Sequence, residues 1–298
     1  MNGGRKMMKF GISFLCLLGI MGVVLFSVKM PSSKEDVICR ALKEIPPDEK
    51  WFLEYFFRNL LLREGGACVL SGSKSAVESS FLCPQYYQST IHWMGYNNST
   101  LVKKGYEVWK KYQHLFPSNT YFFCDGGGWG DKGLDVFLIN KKSFINVIAK
   151  NIEDFKNVLG SNITPEKIFD KIVNREKYLC EVINHHKALL GILFGYGRHN
   201  AWLFHRRDIL ENEFIPKRLD LFEKEIKQIN EKLRFKSCKR RDYRKDYLTF
   251  SSLPAYASDP THPETRELHA GYLQQRKKFT HLYQHGNFLE VTLRRITS

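Results

Sequence analysis

Hydrophobic positions recur at helical spacing along most of this chain. Apolar side chains share one helical face over residues 48–63, over residues 101–115 and over residues 144–159. A Thr-Pro pair, typical of a capped helix start, opens a further apolar face over residues 164–193. Residues 219–233 alternate apolar spacings of three and four, which predicts a helix packed on the core. The chain is therefore predicted to be mainly helical.

Shorter apolar runs at residues 67–70, 121–124 and 134–139 predict strands. The last two flank the segment DGGGWGDKG at residues 125–133, whose G-x-G-x-x-G spacing occurs in phosphate-binding loops. A dinucleotide site needs a helix after that loop, whereas a strand-like run follows here. We therefore predict a hairpin loop, and an α+β fold that is predominantly helical with a small antiparallel sheet.

One apolar stretch is too long and too uniform for a core helix. Residues 10–28 read FGISFLCLLGIMGVVLFSV and contain no Asp, Glu, Lys or Arg. As a helix at 1.5 Å per residue they would span roughly 28 Å, close to the thickness of a bilayer's hydrocarbon core. A cleavable signal peptide is the alternative, but the run is long for one and no A-x-A-like site follows it. The segment predicts one N-terminal transmembrane helix.

This anchor sets the predicted organisation of the chain. Residues 1–9 are a basic tail, residues 10–28 a transmembrane signal anchor and residues 29–47 a linker that ends in two prolines. Residues 48–298 form a mostly helical globular domain, or residues 247–298 form an arm appended to it. Basic residues lie on both sides of residues 10–28, so the positive-inside rule leaves the orientation open. A short basic tail before a large domain resembles a signal anchor, which favours a domain outside the cytoplasm.

Charge adds a candidate anion-binding segment. The chain carries a net charge of +15, and 43% hydrophobic residues exclude a wholly disordered protein. The densest positive charge lies in residues 232–245, which include only one acidic residue. These cations would attract an anionic lipid or polymer. Nucleic acid is disfavoured because few aromatic side chains interleave with them. They are Lys232, Arg234, Lys236, Lys239, Arg240, Arg241, Arg244 and Lys245.

Two small patterns could carry catalysis. Ser71 and Lys74 match S-x-x-K, in which a serine nucleophile and a lysine meet across one helical turn of an envelope hydrolase. So short a pattern also arises by chance, and no K-[ST]-G completes it. His186, His199 and His205 lie close in sequence and could bind a metal, but H-E-x-x-H is absent, so core histidines are favoured.

Cysteines leave the compartment open. Besides Cys16 there are six, which allow fifteen pairings, and no C-x-x-C occurs. A domain of this size needs no disulfides to fold, so free thiols and bridges both remain open. The sequence names no cofactor.

Two segments resemble a known group of proteins. EGGACVLSGSKS at residues 64–75 and HHKALLGILFGYGRHNAWLFHRRD at residues 185–208 are similar to segments of an uncharacterised family of bacterial membrane-anchored proteins. The resemblance implies a protein of the bacterial envelope and implies no activity or ligand.

Together these patterns favour a membrane-anchored binding or scaffold module at an anionic surface over an enzyme. Its partners would be a lipid bilayer, reached through residues 10–28, and an anionic lipid or polymer. An envelope hydrolase, built on Ser71 and Lys74 or on a histidine metal site, is the alternative function.

Overall fold

The structure, a computed structural model, describes residues 34–82, 97–128, 133–214, 219–235, 256–284 and 286–298. It is mostly helical with a small antiparallel sheet, as predicted. The helices are α1 (Lys34–Glu44), α2 (Pro47–Arg58), α3 (Ala67–Leu70), α4 (Asn97–Tyr112), α5 (Lys141–Lys150), α6 (Ile152–Leu159), α7 (Pro165–Val173), α8 (Leu179–Val182), α9 (Lys187–Leu193), α10 (Arg198–Ile209), α11 (Leu219–Lys232), α12 (Pro263–Tyr283) and α13 (Phe288–Ile296). The strands are β1 (Ala76–Leu82), β2 (Tyr121–Gly128), β3 (Gly133–Asn140), β4 (Arg234–Phe235) and β5 (Ala257–Ser258).

Strand β3 is the centre of a three-stranded antiparallel sheet of order β1-β3-β2. Strands β2 and β3 pair with each other and extend into the two ends of the glycine-rich segment, which confirms the predicted hairpin. A bulge lies between Asp125 and Gly128. Gly126 packs directly on the sheet, because a Cβ atom there would lie 2.2 Å from the Phe137 ring. Strand β1, at one edge of the sheet, is not among the predicted strands.

Side chains of β3 alternate between two hydrophobic cores. Val136 and Leu138 join one core, and Phe137 and Ile139 join the other. All four are fully buried. A strand that is buried on both faces carries apolar side chains at every position. This explains why β3 shows a continuous apolar run instead of alternating apolar and polar residues. The sheet therefore lies between helices α1, α2, α4 and α13 on one face and helices α5 to α9 on the other, while α12 reaches from the first core to α10.

The predicted linker and the predicted C-terminal arm both belong to the first core. Helix α1 lies within residues 29–47 and buries Ile38, so this segment is not a simple tether. Helix α13 buries Leu293 in the same core and packs against α1 and α2. The described part of residues 247–298 therefore packs on the same core as α1 and α2.

The long helix expected over residues 164–193 is three helices, α7, α8 and α9. Its start is as predicted: the Thr164 hydroxyl accepts a hydrogen bond from the Lys167 N–H at 3.2 Å. The helix then ends because Arg175, Asn184 and His185 adopt positive φ angles between 53° and 59°. Such residues cannot continue a right-handed helix.

Two further element predictions need correction. Residues 144–159 belong to two helices, α5 and α6, which meet at Asn151. Its side chain donates to the Val147 carbonyl at 2.8 Å and so competes with the backbone. Residues 67–70 form the one-turn helix α3 rather than a strand. A run of four apolar residues is too short for its periodicity to distinguish a helix from a strand. The helices predicted at residues 101–115 and 219–233 are confirmed.

The predicted anchor at residues 10–28 and the basic tail before it lie outside the described residues. Among the residues that are described, no helix is both long enough and apolar enough to cross a membrane.

Candidate functional site around Lys74

Lys74 follows the turn that joins α3 to β1. Gly72 has a φ of 77°, which closes this turn, and the N–H groups of Ser73 and Lys74 both donate to the Cys68 carbonyl at 3.0 Å. The turn brings the lysine side chain to the start of the edge strand. Lys74 is only 4% exposed.

The Lys74 amine lies over two aromatic rings from a distant part of the chain. Its Nζ atom is 5.5 Å from the centre of the Tyr196 ring and 5.8 Å from that of Phe194. Within the described residues, the side-chain amine of Lys74 forms no hydrogen bond and no ion pair. The Nζ atom therefore has the two aromatic rings on one side and the open space of a pocket on the other.

This amine opens into a pocket of about 300 Å³ at the edge of the sheet. Such a volume lies at the lower end of the range for small-molecule sites. The wall combines two aromatic rings with charged and hydroxyl groups. Its residues are Arg63, Glu64, Lys74, Val77, Glu78, Ser80, Phe194 and Tyr196.

Two carboxyl groups in the pocket are more basic than usual. Burial, together with the nearby Asp135 carboxylate, raises the pKa of Glu78 to about 7. Ser80, whose hydroxyl donates to Glu78 Oε1 at 3.3 Å, stands opposite Asp135 in the β1–β3 pairing. Burial also raises the pKa of Glu64, which lies 3.4 Å from the Arg63 guanidinium. Glu78 can therefore keep a proton near neutral pH, and Glu64 holds its proton to a higher pH than an ordinary glutamate does.

Burial acts on the amine in the opposite direction. It lowers the pKa of Lys74 to about 8, although Cys68 and the two glutamates act to raise it. Burial disfavours the charged form of each group. The carboxyl group therefore keeps its proton to a higher pH, and the amine loses its proton at a lower pH. An amine and an acid with pKa values this close can exchange roles as proton donor and acceptor near neutral pH.

The aromatic wall is held in place by helix α12 and by Tyr256, which directly precedes strand β5. The Tyr272 hydroxyl donates to the Gly195 carbonyl at 2.5 Å, and the Tyr196 ring stacks on Tyr256 at 4.7 Å. Gly195 has a φ of 70°, and a Cβ atom there would lie 2.5 Å from the Tyr272 hydroxyl. The same Cβ would lie 3.3 Å from Lys74 Cγ, so only glycine lets the turn close over the lysine.

The structure does not assemble the predicted Ser71–Lys74 dyad. The Ser71 hydroxyl bonds to the Cys68 carbonyl and to the Ser73 hydroxyl, each at 3.0 Å. No hydrogen bond joins Ser71 to Lys74 in this described region. The S-x-x-K pattern lies in a turn rather than along one helix, so its two side chains do not meet across a helical turn. Lys74 is part of a site, but with other partners.

The three candidate histidines are divided between two places. His186 caps α9, and its ring centre lies 4.0 Å from that of His205. His199 instead stacks on His262 at 3.8 Å and approaches Asp259 at 3.3 Å through Nε2. Among the described residues, no three His, Cys, Asp or Glu side chains are arranged to hold a metal ion.

Little of the predicted anion-binding segment can be placed. Lys232 is exposed at the end of α11, and Arg234 lies in β4. Residues 236–245, with the other six cations, lie outside the described residues. Four of the cysteines are described, and all four are free thiols: Cys39, Cys68, Cys124 and Cys180.

Comparison with known proteins adds no assignment to this geometry. No family model, no curated protein and no solved structure matches the chain. The resemblance to bacterial membrane-anchored proteins stays a prediction.

Sequence reasoning missed most of the pocket. Glu64 and Glu78 stand among ordinary polar residues, and their burial follows from the packing of β1 against the rest of the fold. Phe194 and Tyr196 lie more than a hundred positions from Lys74, so no local spacing connects them to it. The one available signal was a lysine beside the apolar run at residues 67–70.

Proposed function

We propose that this domain is an enzyme that acts on a small polar molecule, with Lys74 and Glu78 as its acid–base pair. The observation that carries the proposal is the Lys74 amine itself, which is buried, lacks a polar partner in the described structure and opens into a pocket lined by carboxyl groups. Ion-pair networks in stable cores also shift pKa values, but there the lysine has a partner.

The two pKa values make both reactive forms available. At pH 7 an amine with a pKa of about 8 is about 9% uncharged, compared with about 0.03% for an ordinary lysine. A carboxyl group with a pKa of about 7 is about half protonated under the same conditions. Lys74 can therefore act as a nucleophile or base while Glu78 donates a proton.

The reactivity of Lys74 in the full-length chain tests this proposal. The chain is labelled with an amine-reactive ester across pH 6 to 11, and each lysine is quantified by peptide mass spectrometry. The exposed Lys103 on α4 is the matched control. We expect half-maximal labelling of Lys74 near pH 8, well below that of Lys103. A Lys74 that titrates with Lys103, or that is not labelled at any pH, would overturn the proposal.

We further propose that residues 10–28 hold this domain at a membrane, outside the cytoplasm, with residues 232–245 in contact with an anionic lipid or polymer. Support comes from the length and composition of residues 10–28 and from exposed Lys232, where α11 leads into the basic segment. Flotation of the full-length chain with vesicles checks both parts. Residues 10–28 should keep it bound in alkaline carbonate, and neutralising the basic segment should remove any preference for anionic vesicles.

A further inference from the structure

We propose that the substrate of this pocket is a small hydroxylated aldehyde or ketone, which condenses with the Lys74 amine to form an imine. The inference rests on the proposed function and names the substrate class of the same site. It is carried by the position of the amine between two aromatic rings and two carboxyl groups.

Imine formation needs an amine whose lone pair is free to attack a carbonyl carbon. Lys74 meets this requirement, because no described residue holds its Nζ atom in a hydrogen bond or an ion pair. A structural lysine of the same burial would be fixed by a carboxylate. Here Glu64 and Glu78 line the pocket and influence the amine by charge, yet neither lies within ion-pair distance of it.

The surroundings of the amine also suit the product. A protonated imine is a cation, and it would form where the Phe194 and Tyr196 rings lie 5.8 and 5.5 Å from Nζ. Aromatic faces stabilise a cation at such distances. An ionised Glu64 would add charge stabilisation from the pocket wall.

The condensation balances with groups that are present. The Nζ lone pair forms a bond to the carbonyl carbon, the C=O π bond breaks, and one N–H proton passes through water to the oxygen to give a carbinolamine. Glu78, in its acid form, then protonates the hydroxyl group, which leaves as water as the C=N bond forms. The one N–H proton left gives a protonated imine, and its loss to the Glu78 carboxylate gives the neutral imine and restores the acid form of Glu78. The sum is one carbonyl compound and one amine giving one imine and one water, with no oxidant or reductant.

The rest of the pocket selects a polar carbonyl compound. Arg63 and Ser80 offer hydrogen-bond donors, and Glu64 offers an acceptor or a donor according to its protonation. Only Val77 and the two rings are apolar. A volume of about 300 Å³ suits a molecule of the size of a small sugar, with hydroxyl groups that meet these side chains.

Reductive trapping of the full-length chain tests the inference. The protein is incubated with glycolaldehyde or dihydroxyacetone and cyanoborohydride at pH 7.5, and alkylation of each lysine is followed by mass spectrometry. We expect Lys74 to be trapped at least tenfold faster than Lys103. Pyruvate, which has no hydroxyl group, should be trapped more slowly. Lys74→Arg should remove the fast adduct and leave Lys103 unchanged.

The Glu78→Gln variant separates a chemical role from a structural one. Loss of the Glu78 charge should lower the pKa of Lys74 further, so that labelling by the amine-reactive ester becomes faster. Loss of the proton donor should make reductive trapping at least fivefold slower. Glu107→Gln, at an exposed position on α4, is the control and should change neither rate. Equal slowing of both reactions in Glu78→Gln would overturn its role as donor.

The outcomes distinguish the inference from the function on which it rests. Ester labelling of Lys74 with a midpoint near pH 8, but trapping no faster than at Lys103, would overturn imine formation and leave the proposed acid–base pair. A Lys74 that is unreactive in both assays would overturn the two together.

Discussion

The Tyr272 hydroxyl donates a 2.5 Å hydrogen bond to the Gly195 carbonyl, and this contact fixes the turn that covers Lys74. It joins α12, near the end of the chain, to a turn that lies between α9 and α10. Tyr272 is 2% exposed, so the bond is shielded from water. The rings over the lysine amine therefore depend on a helix that contributes no side chain to the pocket wall.

Gly195→Ala should disturb the site more than backbone strain alone would. Alanine at a positive φ costs about 1–2 kcal/mol, and here its Cβ would also meet the Tyr272 hydroxyl at 2.5 Å. Gly72→Ala is the control, since its φ is 77° and no atom lies closer than 3.7 Å to the added Cβ. Urea unfolding should show Gly195→Ala less stable than Gly72→Ala by at least about 1 kcal/mol. Equal losses would mean that the turn has room to move.

Glu78 should make the domain less stable as the pH rises from about 4.5 to 7. Its pKa is raised in the folded state, to about 7, so the folded protein holds a proton that the unfolded chain has already lost. That contribution to stability is fully present below the unfolded pKa and is lost as the pH rises through the folded one. The unfolding free energy of Glu78→Gln minus that of the native chain should therefore increase between pH 4.5 and 7. A constant difference would contradict the raised pKa.

The ion pair between Arg198 and Asp154 should stabilise the contact between α10 and α6. The guanidinium donates to both carboxylate oxygens, at 2.5 and 2.8 Å, and Asp154 is 6% exposed. Arg198→Met leaves this carboxylate without its partner and should cost about 1–2 kcal/mol in thermal or urea unfolding. The exposed pair of Lys156 and Glu153 is the comparison, and Lys156→Met should change stability by less than about 0.5 kcal/mol.

Ser71→Ala should leave the chemistry of Lys74 unchanged. The hydroxyl bonds only to the local turn, so its loss should cost less than about 1.5 kcal/mol of stability. The ester-labelling midpoint of Lys74 should stay where it is, and a fluorophosphonate probe should not label residue 71 in the native chain. If the probe labels the native chain at Ser71 and does not label Ser71→Ala, the prediction of a serine hydrolase would be supported instead.

The fold could be predicted where one physical signal dominates. Val136 to Ile139 are apolar on both faces of β3, and Thr164 with Pro165 marks a helix start, so both predictions are confirmed. The chain reverses where Asn184 and His185 take positive φ, and nothing in their local pattern distinguishes these residues from helical ones. Strand β1 was missed because an edge strand carries the polar side chains of Glu78 and Ser80.

The site was harder to predict, because its properties arise from packing. Lys74 was identified for its spacing from Ser71, a spacing that the turn does not use. The Lys74 side chain is buried because the rings of Phe194 and Tyr196 lie over it. These rings are held there by the hydrogen bond from Tyr272 of α12 to Gly195. No sequence motif marks a lysine that becomes buried through contacts with residues far away in the chain.

The most direct measurement is an NMR titration of Lys74 in the full-length chain. Lysine is labelled with ¹³C at Cε, and the Lys74 resonance is assigned by its absence from Lys74→Arg. A midpoint near pH 8, with the exposed lysines titrating above pH 10, is the predicted result. A Lys74 resonance that titrates together with the exposed lysines would contradict the account, because the amine would then be an ordinary surface charge.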